Sequence, residues 1–508
     1  MREIALMFRN WWDSLKKEIP QMRKPFIILF FVYLVGLSSL IRANYNYMDD
    51  LGRTAWGYTL WNDFSRYITQ FLAVLVHADT TINDISPLPQ LLAISLIALS
   101  SIIVLKVFSG KYTSLNIIAV IPLGLSPYFL ECFSYKFDSP YMALSVLASV
   151  FPLLFIDCDF KLYSIILAIG TSIMLLTYQA SSGIFMLSLL LLMGIRWNQG
   201  KDASGCLKII MTSGVIQLIV ALLFKTFLVK EFDNYVSTNV GSYDNLLVLV
   251  KNNLEIYYSL ILSSSPIAWR VMFIGVTLAA IRMFINDSKR NKFYASILAM
   301  LLIVVCSALS YGAYVILEKP LFAARSFYGF GVLVAILGII AINGKTANYM
   351  GKLACILLGW SLIVFSLAYG NALAEQKRYE TFRAHILLND ISRIPGLDKC
   401  NVKRMQLKGN VGYSPVLQRM QKRYPMLNLL VNIQLKEGYC FGEFYLFNYF
   451  PLPGIEQEPN WGTKIKEIDD SSMPVFMDTA YHTIKADDKN IVVILKNEIT
   501  VYKSYDQV

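Results

Sequence analysis

Phe26-Ile-Ile-Leu-Phe-Phe-Val-Tyr-Leu-Val-Gly-Leu-Ser-Ser-Leu-Ile41 carries no charge, and shortly after it comes Met48-Asp49-Asp50-Leu51-Gly52-Arg53. A bilayer span needs ~20 mostly apolar residues at 1.5 Å each. The first stretch therefore reads as a span and the second as the segment that has just left the membrane. Working outward, further apolar blocks recur along all but the last quarter of the chain. Hydrophobic residues make up 56% of the 508 and charged residues 16%. A soluble core does not need so many blocks of that length, so the chain reads as an α-helical polytopic membrane protein. Candidate spans are residues 26–42, 89–108, 115–133, 141–157, 162–178, 183–196, 208–229, 266–285, 293–317, 327–343 and 352–370, about eleven in all. Residues 64–76 read either as a further span or as a helix lying in the interface.

Lysine and arginine set the orientation. The N-terminal segment holds Arg2, Arg9, Lys16, Lys17, Arg23 and Lys24. If it is cytoplasmic, the alternate loops hold Lys106 and Lys111, Lys161, Arg196 with Lys201 and Lys208, Arg282 through Lys292, and Lys345 with Lys352. Every such loop is basic, and the opposite loops are less so. The net charge of +11 is thus a topology signal rather than a nucleic-acid footprint. With an odd number of spans the C-terminus lies outside the cytoplasm. Three regions follow: an amphipathic cytoplasmic helix over 1–24 with Phe8, Trp11 and Trp12 among basic residues, a membrane region over 25–370, and an outer domain over 371–508.

Other chemistries find little support. Five of seven cysteines sit in or beside spans, while Cys400 and Cys440 fall in the outer domain, where an oxidising compartment allows them to pair. The three histidines are scattered, no CxxC cluster occurs, and no zinc or haem set is visible. No glycine-rich phosphate loop or cytoplasmic domain offers a nucleotide site. The spans hold almost no ionisable residues, whereas a transporter needs them near the midplane.

Polar residues gather instead at the outer ends of the helices. The first outer loop has Asp49, Asp50, Arg53, Asp63 and Arg66. The second has Glu131, Lys136 and Asp138 within Pro127-Tyr-Phe-Leu-Glu-Cys-Phe-Ser-Tyr-Lys-Phe-Asp-Ser139. Tyr178, Gln179 and Ser181 form a short third turn, and Lys319 and Arg325 mark the fifth. Converging on one face, these loops describe an interfacial active site. Transfer of a sugar from a polyprenyl phosphate needs cations for the departing phosphate, with arginine favoured for its bidentate fork. It also needs a carboxylate within ~3 Å of the attacking hydroxyl. Asp49 and Asp50 diverge by ~100° if helical, so one faces substrate while the other holds a cation or an amide. The plain readings are a solvated helix start for the aspartates, headgroup anchors for Arg53 and Arg66, a local ion pair for Lys136 and Asp138, snorkelling for Arg325, and helix-end packing for Tyr178 and Gln179.

Tyr47-x-Asp49-Asp50-x-Gly52-Arg53, followed by Gly57-Tyr58, Trp61 and Arg66, resembles the first-loop pattern of the serotype-converting O-antigen glucosyltransferases. Pro127 to Glu131 with Ser134-Tyr135-Lys136-Phe137-Asp138-Ser139 is similar to their second-loop block. Tyr178-Gln179-Ala180-Ser181 and Arg325-x-x-Tyr328-Gly329 fit later blocks. The resemblance covers the membrane region to about residue 345, with one departure at Ser65, where it leads to glycine. It implies a GT-C-type bundle in the bacterial inner membrane. It further implies inverting transfer of glucose from undecaprenyl-phosphate glucose to a sugar of the O-antigen repeat, on the periplasmic side. By the same resemblance Asp49 or Asp50 is the base, and Arg53, Arg66, Lys136 and Arg325 hold the lipid phosphate. Tyr47, Trp61, Glu131, Tyr135, Asp138, Tyr178 and Gln179 then line the substrate. No cofactor is required; the aspartates could take a divalent cation, which lipid-phosphate donors do not need.

The tail carries no such resemblance. Residues 371–394 read as a helix continuing outward from the last span, and 490–502 as a β-hairpin. A small α/β domain over the active face, helping to bind acceptor, is the expectation. Rival readings are another GT-C transferase (an O-antigen polymerase or ligase, or a lipid A-modifying enzyme), a flippase or transporter for a lipid-linked sugar, and a non-catalytic membrane protein.

Overall fold

The computed structural model describes residues 2–230, 239–241, 245–344, 349–397, 402–438, 442–450, 452–456 and 467–497. The expected Cys400–Cys440 pairing and the second arm of the 490–502 hairpin lie outside them.

The apolar blocks become helices. α1 (Arg2–Ala43) runs unbroken from the amphipathic segment through the first span. Near its start Trp11 stacks on Phe155 at 4.0 Å. Two short helices follow in the first loop, α2 (Asp50–Trp56) and α3 (Tyr67–His77). α4 (Leu88–Phe108) returns across the bundle. The next block is broken: α5 (Ser114–Val120) and α6 (Pro122–Leu125) meet α7 (Pro127–Ser134) at a 56° bend. Pro127 explains the break, because proline pushes the residue before it out of the helical region, and Ser126 is extended at ψ 142°. Its hydroxyl then caps α7 through the Phe129 amide at 3.4 Å.

α8 (Ser139–Val150), α9 (Phe160–Thr177), α10 (Ile184–Asn198), α11 (Ala203–Phe227), α12 (Leu246–Ser264), α13 (Ile267–Asn286), α14 (Lys292–Leu309), α15 (Gly329–Asn343) and α16 (Tyr349–Ile391) complete the membrane region. Two of the close approaches in the bundle rest on glycines. A Cβ on Gly370 would sit 2.2 Å from the Leu40 backbone where α16 crosses α1. One on Gly331 would sit 2.5 Å from Ser126 Oγ at the bend.

Among the described residues nine helices are long and apolar enough to cross a membrane, or ten with the bent pair. This bears out a multi-pass helical membrane protein, with a count close to the expected eleven. Residues 141–157 and 327–343 form the shorter helices Ser139–Phe155 and Gly329–Asn343. The first ends in a 3-10 turn over Phe151–Phe155, containing Pro152, and the second starts only after the turn that carries Arg325. Residues 64–76 yield the 11-residue α3, also below spanning length. Helix α12 was not foreseen, because Lys251, Asn252, Asn253 and Glu255 dilute its apolar run. Its Tyr257 and Ile261 join the core of the bundle, and it packs on the turn Gly312–Ile316. There Asn253 Nδ2 donates to the Val315 and Leu317 carbonyls at 3.0 Å, and Tyr257 stacks on Tyr311 at 4.7 Å.

The upper part of α16 leaves the bundle, as the sequence indicates for 371–394, and carries a small α/β domain. Its sheet orders β2 (Ile455–Glu456), β1 (Lys403–Gly409), β5 (Asn490–Leu495), β4 (His482–Ala486) and β3 (Val475–Asp478). β1 runs parallel to β2 and β5, while β4 is antiparallel to both its neighbours. The hairpin partner of β5 is thus the preceding strand β4. Helices α17 (Pro415–Arg423), α18 (Leu427–Leu430) and α19 (Gly442–Tyr449) join the sheet to the bundle. Ala384, Leu387 and Ile391 of α16 pack with Met405, Leu407, Ile491 and Val493, and this core also takes in Leu51 from α2. The first loop is therefore built into the C-terminal domain.

Candidate active site

The four polar loops do converge, at the end of the bundle covered by the sheet domain. Arg53 Nη1 meets Asp138 across 85 positions. The other oxygen of Asp138 accepts from Trp61 Nε1 at 2.6 Å and faces Arg66 Nη1 at 3.9 Å. The backbone amide and guanidinium of Arg325 hold Glu131 at 2.5 and 2.6 Å. Lys136 Nζ donates to Asn46 Oδ1 at 2.5 Å and Asp84 Oδ2 at 2.7 Å. Thr69 Oγ1 donates to the Thr177 carbonyl, tying the first loop to the third turn.

The two aspartates part company. Asp50 is fully buried, and its carboxylate accepts from the amides of Tyr47 at 3.1 Å, Lys136 at 2.9 Å and Phe137 at 3.5 Å. Burial pushes this carboxyl up to about 8, against the pull of the Lys136 charge and amide. Asp49 is exposed and starts α2 without a side-chain cap. It lies within electrostatic reach of Arg53, Tyr58 and Tyr135. Burial works against the Arg53 charge, and Asp138, Asp49 and Asp50 more than restore it.

The cations divide in the same way. Arg53 and Lys136 have side chains only 3% exposed and are consumed by Asp138 and by Asp84 with Asn46. Arg66 and Arg325 are less enclosed, at 21% and 13%, although Arg325 is likewise paired, with Glu131. Each lies over a tyrosine ring, Arg66 on Tyr178 at 4.7 Å and Arg325 on Tyr135 at 5.3 Å. The Tyr178 hydroxyl is buried and has no hydrogen-bond partner among the described residues. Burial holds it well above the usual tyrosine range while Arg325 and Arg66 pull the other way, so it stays protonated as a donor. Tyr47 props this wall, its ring 4.9 Å from that of Tyr135 and its hydroxyl 3.4 Å from Glu131. Trp61 lies under Arg53 at 4.1 Å and is fully buried. Gln179 stands apart, its amide donating to the Leu175 carbonyl at 2.8 Å at the end of α9.

Asn46 and Asp84, the partners of Lys136, were missed in the sequence. Neither falls in a recognisable block, and the one available signal was an aspartate just before an apolar run. Among the described residues five non-glycine positions have a left-handed φ: Asn44, Met48, Leu60, Ser65 and Ala78. All lie in the first loop, where each costs about 1 kcal/mol or more and the cross-links hold it in place. Ser65, at φ 58°, occupies the one position where the sequence pattern leads to glycine, and its conformation is the reason. Among the described residues no group of three or more His, Cys, Asp or Glu side chains converges as a metal site.

Comparison with known proteins decides the class. The family model for glucosyl transferase GtrII matches residues 38–336, a stretch holding α2, α7, the third turn and Arg325. The chain belongs to the GtrII glucosyl transferase family. It is a multi-pass membrane glucosyltransferase, and this membership takes in the loops that build the site. A protein of Salmonella phage P22, described as an uncharacterized 55.3 kDa protein in the gtrB 5' region, is 23% identical over 418 residues, covering 78% of this chain and 84% of its own length. No solved structure matches.

Proposed function

We propose that this GtrII member transfers glucose from undecaprenyl-phosphate glucose to a sugar of the lipid-linked O-antigen repeat, at the periplasmic face of the bacterial inner membrane. The N-terminus is then cytoplasmic and the sheet domain periplasmic, in keeping with the basic loops at the opposite end. Asp49 is the base. It takes the proton of the acceptor hydroxyl as that oxygen attacks C1 of the glucose from the face opposite the phosphate. The C1–O bond breaks, its electrons leave with undecaprenyl phosphate, and the linkage inverts from β to α. Arg66, Arg325 and the Tyr178 hydroxyl meet the charge that grows on the departing phosphate. Asp50, Arg53, Lys136, Glu131 and Asp138 hold these groups in place.

The observation that carries this reading is the split of the aspartate pair, one carboxylate exposed within electrostatic reach of Arg53 and Tyr135 and the other spent on three backbone amides. The test is transfer from undecaprenyl-phosphate glucose by the purified full chain and by Asp49→Asn and Asp50→Asn. Asp49→Asn is expected to lose about 10²–10⁴-fold in turnover while eluting as a folded protein. Asp50→Asn is expected to lower stability before it lowers chemistry. Full turnover in Asp49→Asn removes the base assignment.

A further inference from the structure

A closed ring of hydrogen bonds links the sheet domain to the aspartate pair. Tyr449, the last residue of α19, receives Asn46 Nδ2 at 2.7 Å and donates to the Leu51 carbonyl at 3.1 Å. The other end of the Asn46 amide accepts from Lys136 Nζ at 2.5 Å. The Lys136 backbone amide in turn donates to Asp50 at 2.9 Å, and Asp50 precedes Leu51.

Each direction in this ring follows from the donor inventory. An ammonium has three donors and no acceptor, so it must face Asn46 Oδ1. The amide nitrogen then points at Tyr449, whose oxygen accepts, and the phenol donates to the Leu51 carbonyl with the Thr54 hydroxyl also in reach. One hydroxyl thus grips the chain on both sides of Asp49. Around it Trp56 Nε1 donates to Asn448 Oδ1 at 2.9 Å, Trp56 packs edge-on to Phe444 at 4.8 Å, and Gln434 Nε2 donates to the Asn46 carbonyl. Leu51 itself is buried in the core of the domain.

We infer that Tyr449 is a positioning residue for glucosyl transfer, through which the C-terminal domain holds the first loop in its reactive geometry. The inference rests on the reading of that loop as the site of the base. Tyr449 touches no reacting atom; its effect passes through Asn46 and Leu51. Misplacing a reactive group by about 1 Å can cost about 10²-fold in rate without weakening binding.

The experiment compares wild type, Tyr449→Phe, Asn46→Ala and the double variant as purified full chains, with Asp49→Asn alongside. Tyr449→Phe keeps the ring packing and removes one hydroxyl. Its kcat is expected to fall about tenfold to a hundredfold, with KM for undecaprenyl-phosphate glucose within about twofold. Because both lesions open one ring, the double variant is expected to be little worse than the poorer single one. An unchanged kcat in Tyr449→Phe overturns the inference, and so do two losses that multiply. Should Tyr449→Phe fail to fold, Asn46→Asp replaces it. That carboxylate still accepts from Lys136 but cannot donate to Tyr449, so the phenol turns toward it and releases Leu51. A kcat equal to wild type in that variant overturns the inference equally. Activity retained by Asp49→Asn removes the base assignment and leaves the Tyr449 result readable on its own.

Discussion

At the end of the bundle away from the sheet, Arg196 grips Asp157 through two bonds of 2.7 and 2.6 Å, yet the aspartate side chain is 78% exposed. Under the sheet, Arg53 meets Asp138 with both side chains below 5% exposed. The first pair resembles its neighbour Lys106–Glu18, also open to solvent, and an exposed pair is worth about 0–1 kcal/mol. The second sits where an uncompensated charge costs several kcal/mol. At the basic end the loops are closed by ordinary caps such as Asp202 on the Gly205 amide at 2.8 Å. The covered end holds its charges dry and cross-linked, as a preorganised site requires.

The largest expected effect would come from Asp138→Ala. It leaves Arg53 buried without a carboxylate and Trp61 Nε1 without an acceptor, so a loss of about 3–5 kcal/mol is expected. The measurement is the thermal unfolding midpoint in detergent, or the yield of folded protein. A wild-type midpoint would erase the contrast between the two ends. Next comes pH. The Asp50 carboxyl titrates at about 8 in the fold and in the ordinary carboxylate range when unfolded. Between those values the folded state keeps a proton that the unfolded state has lost. Stability is full below the lower value and falls as pH rises, by at most about 1.4 kcal/mol per pH unit. Asp50→Asn flattens that slope, which unfolding midpoints from pH 5 to 9 read directly.

Smaller effects complete the ranking. Arg325→Lys keeps the charge but loses the fork on Glu131 and the flat contact with Tyr135, so KM for the lipid donor is expected to rise about tenfold. Arg196→Ala, at the other end, is expected to change stability by less than about 1 kcal/mol and transfer not at all. A large effect there would show that the basic end shares in the chemistry.

Much of this contrast is legible in one dimension. The apolar blocks locate the bundle because hydrophobic burial and backbone satisfaction in lipid leave few alternatives to helices. Grouping Asp49, Arg53, Glu131, Lys136, Asp138, Tyr178 and Arg325 by the side on which they emerge was enough to bring their loops together. The roles inside the cluster were not legible. A side chain's pattern says nothing of the partner that claims it from far along the chain, as Asp138 claims Arg53, Asp84 claims Lys136 and Glu131 claims Arg325. Gln179 looked like a ligand and caps a helix. Helix α12 escaped notice because Lys251, Asn252, Asn253 and Glu255 interrupt its apolar run.

By itself the sequence determined the class of molecule, the placement of its polar loops and the existence of an acidic pair beside basic and aromatic residues. Those depend on hydropathy and local charge, which sum along the chain. Only the tertiary structure decided that Asp50 is buried under three amides while Asp49 stays open, and that Leu51 belongs to the core of a domain more than 300 positions later. Desolvation is the physical reason. Whether a carboxylate keeps its charge and its freedom depends on which distant segments remove its water, and no local pattern records that.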